Sequence, residues 1–237
     1  MRVLVTGAAG FLGRRLVSSL EENHQLRLVD VNSVETEHES LVGDVSDFAT
    51  AKKVLRGVDG VVIAHMAPRD AGPYTDPETA FDANVTGTAC LFQAAVEEGV
   101  RRICLISITG SVKGHPEGAF YTRSLTPRGW DLYSLTKACQ EVIAEHYHRT
   151  HGLDVAVLRV GGIVDADTGM TKYGSPSRGP AGTIVDRRDI GEVARLSLEL
   201  DDLEFEVFYV YGSLDADRFC DFAYSRKRLG WSPRYPC

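Results

Sequence analysis

The chain has 237 residues, enough for one large α/β domain that buries its core without disulfides. Its 26 basic and 33 acidic residues give a net charge of −7, which argues against a nucleic-acid partner. The five cysteines lack the spacing of a metal or redox site, and no apolar run is long enough to span a membrane. We therefore expect a cytoplasmic protein with reduced thiols and no metal.

Short apolar segments alternate with helical patterns along most of the chain. The first predicted strand, Arg2–Thr6, runs into a glycine-rich turn, and a helical pattern begins at Phe11. Further strands are predicted at 26–29, 41–43, 58–64, 102–106, 155–160 and 205–211. The continuous apolar run at 58–64 is typical of a strand covered on both faces. The alternation predicts an α/β fold of the Rossmann type, a doubly wound parallel sheet.

The C-terminal third breaks this rhythm. Segment 165–182 contains several glycines and prolines and few apolar residues, and plain connectors are rarely so long. We interpret it as a loop or lid over a ligand. The sequence thus predicts a dinucleotide-binding core at 1–162 and, at 163–237, a small substrate-binding part with the last core strand and the C-terminal segment. Both parts are expected to form one compact domain.

The turn after the first strand reads T-G-A-A-G-F-L-G at positions 6–13. Gly7 permits a tight turn, Gly10 lets a phosphate approach the backbone, and Gly13 lets the helix pack closely on the strand. Free N–H groups and the positive end of the helix dipole favour an anion at the start of that helix. We predict that the pyrophosphate of a dinucleotide binds at Gly7, Gly10, Phe11, Leu12 and Gly13.

Asp30 ends the second predicted strand, twenty residues after Gly10. A carboxylate there can accept hydrogen bonds from both hydroxyls of the adenosine ribose and would repel a 2′-phosphate, so the expected cofactor is NAD. The alternative is an aspartate in a surface turn. Asp44 ends the third strand, either beside the adenine or as a helix cap for the segment that starts at Ser46.

Tyr133 and Lys137 lie four residues apart on a predicted helix, so their side chains share a face. A free tyrosine has a pKa near ~10, and a nearby ammonium and an oxidised nicotinamide both favour the phenolate. Such a pair can act as a general acid/base between an alcohol and a carbonyl. Ser107 and Thr109 follow the strand at 102–106, where parallel sheets bind ligands, and a hydroxyl there can hydrogen-bond the reacting oxygen.

These motifs, in this order, resemble the extended short-chain dehydrogenase/reductases, the NAD-dependent epimerase/dehydratase family. The resemblance covers nearly the whole chain and includes the segments at 64–67, 84–88, 158–162 and 229–233. It implies that Thr109 polarises the substrate oxygen, Tyr133 moves the proton, and Lys137 holds the nicotinamide ribose and tunes Tyr133. It also implies a set of residues that line or brace the cofactor site: Val45, Ala64, His65, Met66, Asn84 and Val160.

The chain departs from the family at two points. A serine-rich run is replaced by Ser107-Ile-Thr-Gly-Ser111, so Ser107 or Ser111 could supply the hydroxyl instead of Thr109. The chain is also short, with little left after Gly162 to build a nucleotide-holding lobe. In size and ending it is similar to the uronate dehydrogenases, but their Ser-Asn-His is replaced here by Ile-Thr-Gly at 108–110, so their substrate is not carried over.

We therefore predict an NAD-dependent oxidoreductase that transfers hydride between nicotinamide and a hydroxyl or keto carbon of a small sugar, sugar acid or cyclitol. An epimerase or dehydratase that recycles its NAD, possibly on a nucleotide sugar, is the alternative, and a non-catalytic NAD-sensing protein is a distant one. The resemblance also implies a homodimer formed through the helices near Asn84 and Tyr133. Candidate substrate contacts are Arg69, Ser107, Ser111, Gly162, Lys172 and Arg178.

Overall fold

The computed structural model describes residues 1–69, 74–177, 179 and 182–235. Seven parallel strands form the central sheet in the order β3-β2-β1-β4-β5-β6-β9. These strands are β1 (Arg2–Thr6), β2 (Gln25–Asp30), β3 (Glu39–Val42), β4 (Gly60–Ile63), β5 (Arg102–Ile108), β6 (Asp154–Val160) and β9 (Phe205–Val210). The seven predicted strands are thus present, with bounds shifted by up to two residues, and the predicted fold class is confirmed.

Helices cover both faces of the sheet. The helices are α1 (Gly13–Leu20), α2 (Phe48–Leu55), α3 (Pro77–Phe81), α4 (Gly87–Glu98), α5 (Leu132–His151), α6 (Arg187–Glu199) and α7 (Phe222–Leu229). One buried cluster includes Leu16 of α1 and Ile190 of α6, and the cluster on the opposite face includes Val54 of α2 and Leu91 of α4. Because helices pack on both faces, the central strands β1, β4, β5 and β6 are buried along most of their length.

Local sequence signals explain where the helices around the site begin and end. Asp47 and Asp76 cap α2 and α3 by accepting hydrogen bonds from first-turn N–H groups. Asp131 forms a capping box with Ser134 at the start of α5, which fixes the helix that carries Tyr133. Between α3 and α4 the chain makes a π-helical turn at Asp82–Thr86, so the helical stretch is interrupted where Asn84 lies.

The segment after β6 contains more structure than the sequence indicated. Strands β7 (Gly162–Val164) and β8 (Ile184–Asp186) pair in parallel as a second, two-stranded sheet. Between them, Met170 forms isolated bridges with Asp165 and Pro176. The expected loop therefore starts and ends on a small sheet beside the main one. The division into parts at 162 and 163 stays a prediction.

Candidate active site

The glycine turn brings β1, α1 and the end of β4 into close contact. Gly7 has a φ of +67°, and a Cβ at this position would lie 2.8 Å from the backbone of His65. A Cβ on Gly13 would overlap the carbonyl oxygen of Gly7. Leu12, the N-cap of α1, places no side-chain hydrogen bond on the first turn. The turn therefore has the shape and the N–H donors that suit a pyrophosphate.

Asp30 lies at the end of β2 and faces this turn. One of its carboxylate oxygens accepts a hydrogen bond from the N–H of Ala9 at 3.0 Å, and the other accepts from the N–H of Asn32 at 2.9 Å. A carboxylate oxygen can accept more than one hydrogen bond, so both retain capacity for ribose hydroxyls. Asp44 accepts from the N–H of Ser46, while Asp47 caps α2. Asp44 thus stabilises a turn rather than the helix end.

The segment after β4 is tied to β1 and to the π-helical turn. Thr6 accepts hydrogen bonds from the N–H groups of Ala64 and His65, and its hydroxyl lies 2.9 Å from Nδ1 of His65. Burial, with Lys137 nearby, lowers the pKa of His65 to about 4, so its imidazole is neutral near pH 7. Asn84 accepts from the N–H of Ala67 at 2.7 Å.

Val45 and Met66 flank this segment. Val45 is buried, and its side chain and the ring of His65 both lie close to Gly87. The sulfur of Met66 lies 3.7 Å from the ammonium of Lys172. Most of the predicted cofactor-lining set thus lies near the carboxyl ends of β1, β2 and β4, where parallel sheets bind dinucleotides, while Val160 ends β6.

Tyr133 and Lys137 stand one turn apart on α5, above the end of β5. Lys137 is buried and donates a 2.9 Å hydrogen bond to the carbonyl oxygen of Ile106, and burial lowers its pKa to about 8. Burial also raises the pKa of Tyr133 well above its usual value, while Arg69 opposes that shift. The chain's own residues therefore favour the neutral phenol of Tyr133, whereas the predicted phenolate depends on an oxidised nicotinamide as well as on Lys137.

Asn84 links the cofactor segment to the helix of Tyr133. Its side-chain amide donates to the hydroxyl of Thr136 at 2.9 Å, and its backbone carbonyl oxygen accepts from the side-chain amide of Gln140. Because Asn84 is fully buried, these bonds are shielded from water. The bracing contact implied by the resemblance is present in the geometry.

The three hydroxyls at the end of β5 have two different sets of partners. Ser107 and Ser111 both donate to Oε1 of Glu141, whose other carboxylate oxygen, Oε2, pairs with Arg159 at 2.8 Å. Thr109 instead lies 2.5 Å from the hydroxyl of Tyr211 and 3.3 Å from the carbonyl oxygen of Val160. The two serines are thus engaged by a buried ion pair, and Thr109 is not.

One cation lies over the ring of Tyr133, and a second lies over the neighbouring Tyr173. The guanidinium of Arg69 is 4.3 Å from the ring centre of Tyr133, and Tyr74 packs edge-on against the same ring. The ammonium of Lys172 is 5.0 Å from the ring centre of Tyr173, over which Arg69 also lies at 6.0 Å. We call Arg69, Lys172 and these three tyrosines the cation–tyrosine cluster.

Of the other candidate substrate contacts, Gly162 begins β7, and Arg178 falls outside the described residues. Sequence reasoning missed Tyr74, Glu141, Tyr173 and Tyr211. Two signals could have found part of this set. Glu141 is four residues after Lys137 on the same helix, and Tyr211 directly follows a parallel strand.

Comparison with known proteins agrees with this geometry. The profile of the NAD dependent epimerase/dehydratase family matches residues 3–171. The chain belongs to that family. It is therefore an NAD-dependent enzyme of the extended short-chain dehydrogenase/reductase type, an oxidoreductase with NAD as its cofactor.

Two curated relatives differ in how much of their own length is matched. The chain is 26% identical to an NAD-dependent glucose-6-phosphate dehydrogenase of Haloferax volcanii, over 98% of this chain and 92% of that protein. It is 33% identical to a dTDP-glucose 4,6-dehydratase of Streptomyces antibioticus, over 67% of this chain but 52% of that protein. Among solved structures, uronate dehydrogenase from Agrobacterium tumefaciens has the same fold, with a TM-score of 0.80, 24% identity, and coverage of 98% and 84% of the two chains.

Two further observations concern the described residues alone. No helix among them combines the length and apolar character needed to cross a membrane. Within the same residues, His, Cys, Asp and Glu form no group of three or more that could hold a metal ion.

Proposed function

We propose that the protein is an NAD-dependent dehydrogenase of a small anionic sugar. Thr109 binds the reacting oxygen of the substrate, Tyr133 takes or returns its proton, and Lys137 holds the nicotinamide ribose. Residues from Gly7 to Gly13, Asp30 and the segment at 64–66 bind the rest of NAD. When bound, NAD supplies the ring that accepts or returns a hydride.

Thr109 is favoured over the two neighbouring serines because of what each hydroxyl contacts. Ser107 and Ser111 are fully buried and already donate their only hydroxyl proton to Glu141. Neither can donate to a substrate without leaving that carboxylate. This observation supports Thr109 as the catalytic hydroxyl.

The cation–tyrosine cluster carries the proposal of an anionic substrate. Arg69 and Lys172 are close enough that Arg69, together with burial, lowers the pKa of Lys172. No ion pair joins Lys172 to a carboxylate of the described residues. A phosphate or carboxylate bound next to Lys172 would gain a charge-assisted hydrogen bond from its ammonium.

The substrate is proposed to lack a nucleotide. The glucose-6-phosphate dehydrogenase of Haloferax volcanii is matched over 92% of its length, but the dTDP-glucose dehydratase over only 52%.

A substrate screen tests this proposal. We expect NADH to accumulate with uronic acids or hexose phosphates, faster than with glucose, arabinose or UDP-glucose. Lys172→Met should raise KM for the preferred anionic sugar roughly tenfold or more and leave KM for a neutral analogue unchanged. Lys53→Met, at an exposed lysine of α2, is the matched control. A clear preference for nucleotide sugars, or interconversion without net NADH, would instead support the epimerase or dehydratase.

We further propose a cytoplasmic homodimer that pairs through α4 and α5. Val142 on α5 is 54% exposed, which suits an interface, whereas Phe92 and Ala144 are fully buried within the chain. The cysteines at 90, 104, 139 and 220 are free thiols, which suits a reducing compartment. Sedimentation at micromolar concentration should give twice the chain mass, and Val142→Glu should shift it to the monomer.

A further inference from the structure

We propose that Tyr211 is a positioning residue that fixes the direction of the Thr109 hydroxyl. This inference rests on the proposed role of Thr109 in catalysis. Tyr211 directly follows β9, in the C-terminal part of the chain, and is 2% exposed. Its hydroxyl lies 2.5 Å from that of Thr109, 102 residues earlier in the chain.

Counting donors and acceptors gives the direction of this hydrogen bond. Each hydroxyl has one proton to donate. Among the described residues, the hydroxyl of Tyr211 has no hydrogen-bond partner other than Thr109, so a proton that it did not give to Thr109 would have no acceptor. A buried hydroxyl without an acceptor is costly. Tyr211 is therefore the donor and Thr109 the acceptor.

This assignment leaves the proton of Thr109 available for another acceptor. In the structure its acceptor is the carbonyl oxygen of Val160 at 3.3 Å or that of Arg159 at 3.5 Å, both long for an O–H···O bond. A substrate oxygen at ordinary distance would replace them. Without Tyr211, Thr109 would have a free lone pair and a wider range of rotation. A donor that is aimed before the reaction stabilises developing charge better than one that must reorient.

Packing keeps the phenol of Tyr211 in place. Its ring makes edge-on contacts with Phe219 at 5.3 Å and Phe222 at 6.0 Å between ring centres. On its other side it lies against Gly161, where a Cβ would come within 2.8 Å of the ring. Gly161 thus admits the ring, and the aromatic contacts hold it, so that the hydroxyl has a fixed position. Burial also raises the pKa of Tyr211, which keeps its proton in place.

The test compares Tyr211→Phe with Tyr209→Phe. Tyr209 is a fully buried phenol on β9, two residues before Tyr211, but its hydroxyl bonds Arg159 and the carbonyl oxygen of Thr122 rather than Thr109. We expect Tyr211→Phe to lower kcat about tenfold, with the dissociation constant of NAD and the KM of the sugar unchanged. Both variants should lower the melting temperature by a similar amount, but Tyr209→Phe should leave kcat within about twofold of that of the unchanged protein.

A double variant separates positioning from a general loss of stability. If Tyr211 acts through Thr109, adding Tyr211→Phe to Thr109→Val should cost no further kcat. Equal losses of kcat in the two tyrosine variants, or a further loss in the double variant, would overturn the inference. The assay uses whichever sugar the screen shows to be turned over, so failure of the small-substrate proposal leaves this test intact.

Discussion

The residues on the predicted cofactor side and on the predicted substrate side of Tyr133 differ in type. On the cofactor side, the geometry depends on glycines and short polar side chains: Gly7 and Gly13 let three elements approach closely, and Thr6, Asp30 and Asn84 are already hydrogen-bonded. On the substrate side, long cationic side chains lie over aromatic rings, and Arg69 and Lys172 repel one another.

This difference indicates what each side can do before ligands bind. The cofactor side has little freedom to rearrange, because a fixed backbone and buried hydrogen bonds define it. The substrate side holds like charges whose repulsion a bound anion would relieve. We therefore expect changes on the cofactor side to act through the fold and NAD affinity, and changes on the substrate side to act mainly through KM.

Tyr133 lies between the two sides and should give the largest effect. Tyr133→Phe removes the proton donor but keeps the ring that contacts Arg69 and Tyr74. We expect turnover to fall by roughly 10²–10⁴-fold, with NAD affinity and melting temperature close to those of the unchanged protein. Steady-state kinetics and NAD titration measure both. Near-normal turnover would mean that another group moves the proton.

Gly13→Ala tests how rigid the cofactor side is. The new Cβ would overlap the carbonyl oxygen of Gly7, so α1 must move away from β1. We expect a loss of roughly 3 kcal/mol in the free energy of unfolding, together with much weaker NAD binding. Gly99→Ala is the control: its Cβ meets nothing within 4 Å, so it costs stability only through its left-handed φ of +76°, and it should leave NAD binding unchanged. If Gly13→Ala bound NAD as well as this control, the close approach would not matter.

The same contrast explains how much the sequence could predict. The glycines of the turn lie within a few residues of one another, and so do Tyr133 and Lys137. Sequence spacing alone therefore indicated both motifs. The bond between Tyr211 and Thr109 joins positions 102 residues apart, and that between Ser107 and Glu141 joins positions 34 apart. No local pattern specifies such pairs, because they depend on which strands become neighbours in the sheet.

Lys137 gives a pH-dependent test of burial beside the cofactor site. Its pKa falls from 10.5 to about 8 in the folded chain, so between these values the unfolded state binds more protons. Stability should therefore rise with pH in this window, by about 2 kcal/mol. Lys137→Met should lack this contribution. Chemical denaturation across this pH window measures the free energy of unfolding of both proteins. The difference between the two values cancels the contributions of the other titrating groups. A difference that does not change with pH would show that Lys137 is not desolvated.

The smallest effect, and the one that sharpens the cofactor side most, concerns Asp30. Its carboxylate is oriented by the N–H groups of Ala9 and Asn32 beside the glycine turn, and we expect it to meet the adenosine ribose of the cofactor. The unchanged protein should bind NAD more tightly than NADP, because a 2′-phosphate would meet the negative charge of that carboxylate. Asp30→Ala should weaken NAD binding roughly tenfold, the value of a charged hydrogen bond, and reduce the preference for NAD over NADP.

Asp30→Asn is the matched control, because it keeps an acceptor but removes the charge. It should retain more NAD affinity than the alanine variant while losing the discrimination against NADP. Titration of the three proteins with both cofactors measures the six dissociation constants. Tighter binding of NADP by the unchanged protein would show that Asp30 does not meet the ribose. The cofactor would then have to be oriented by backbone groups alone.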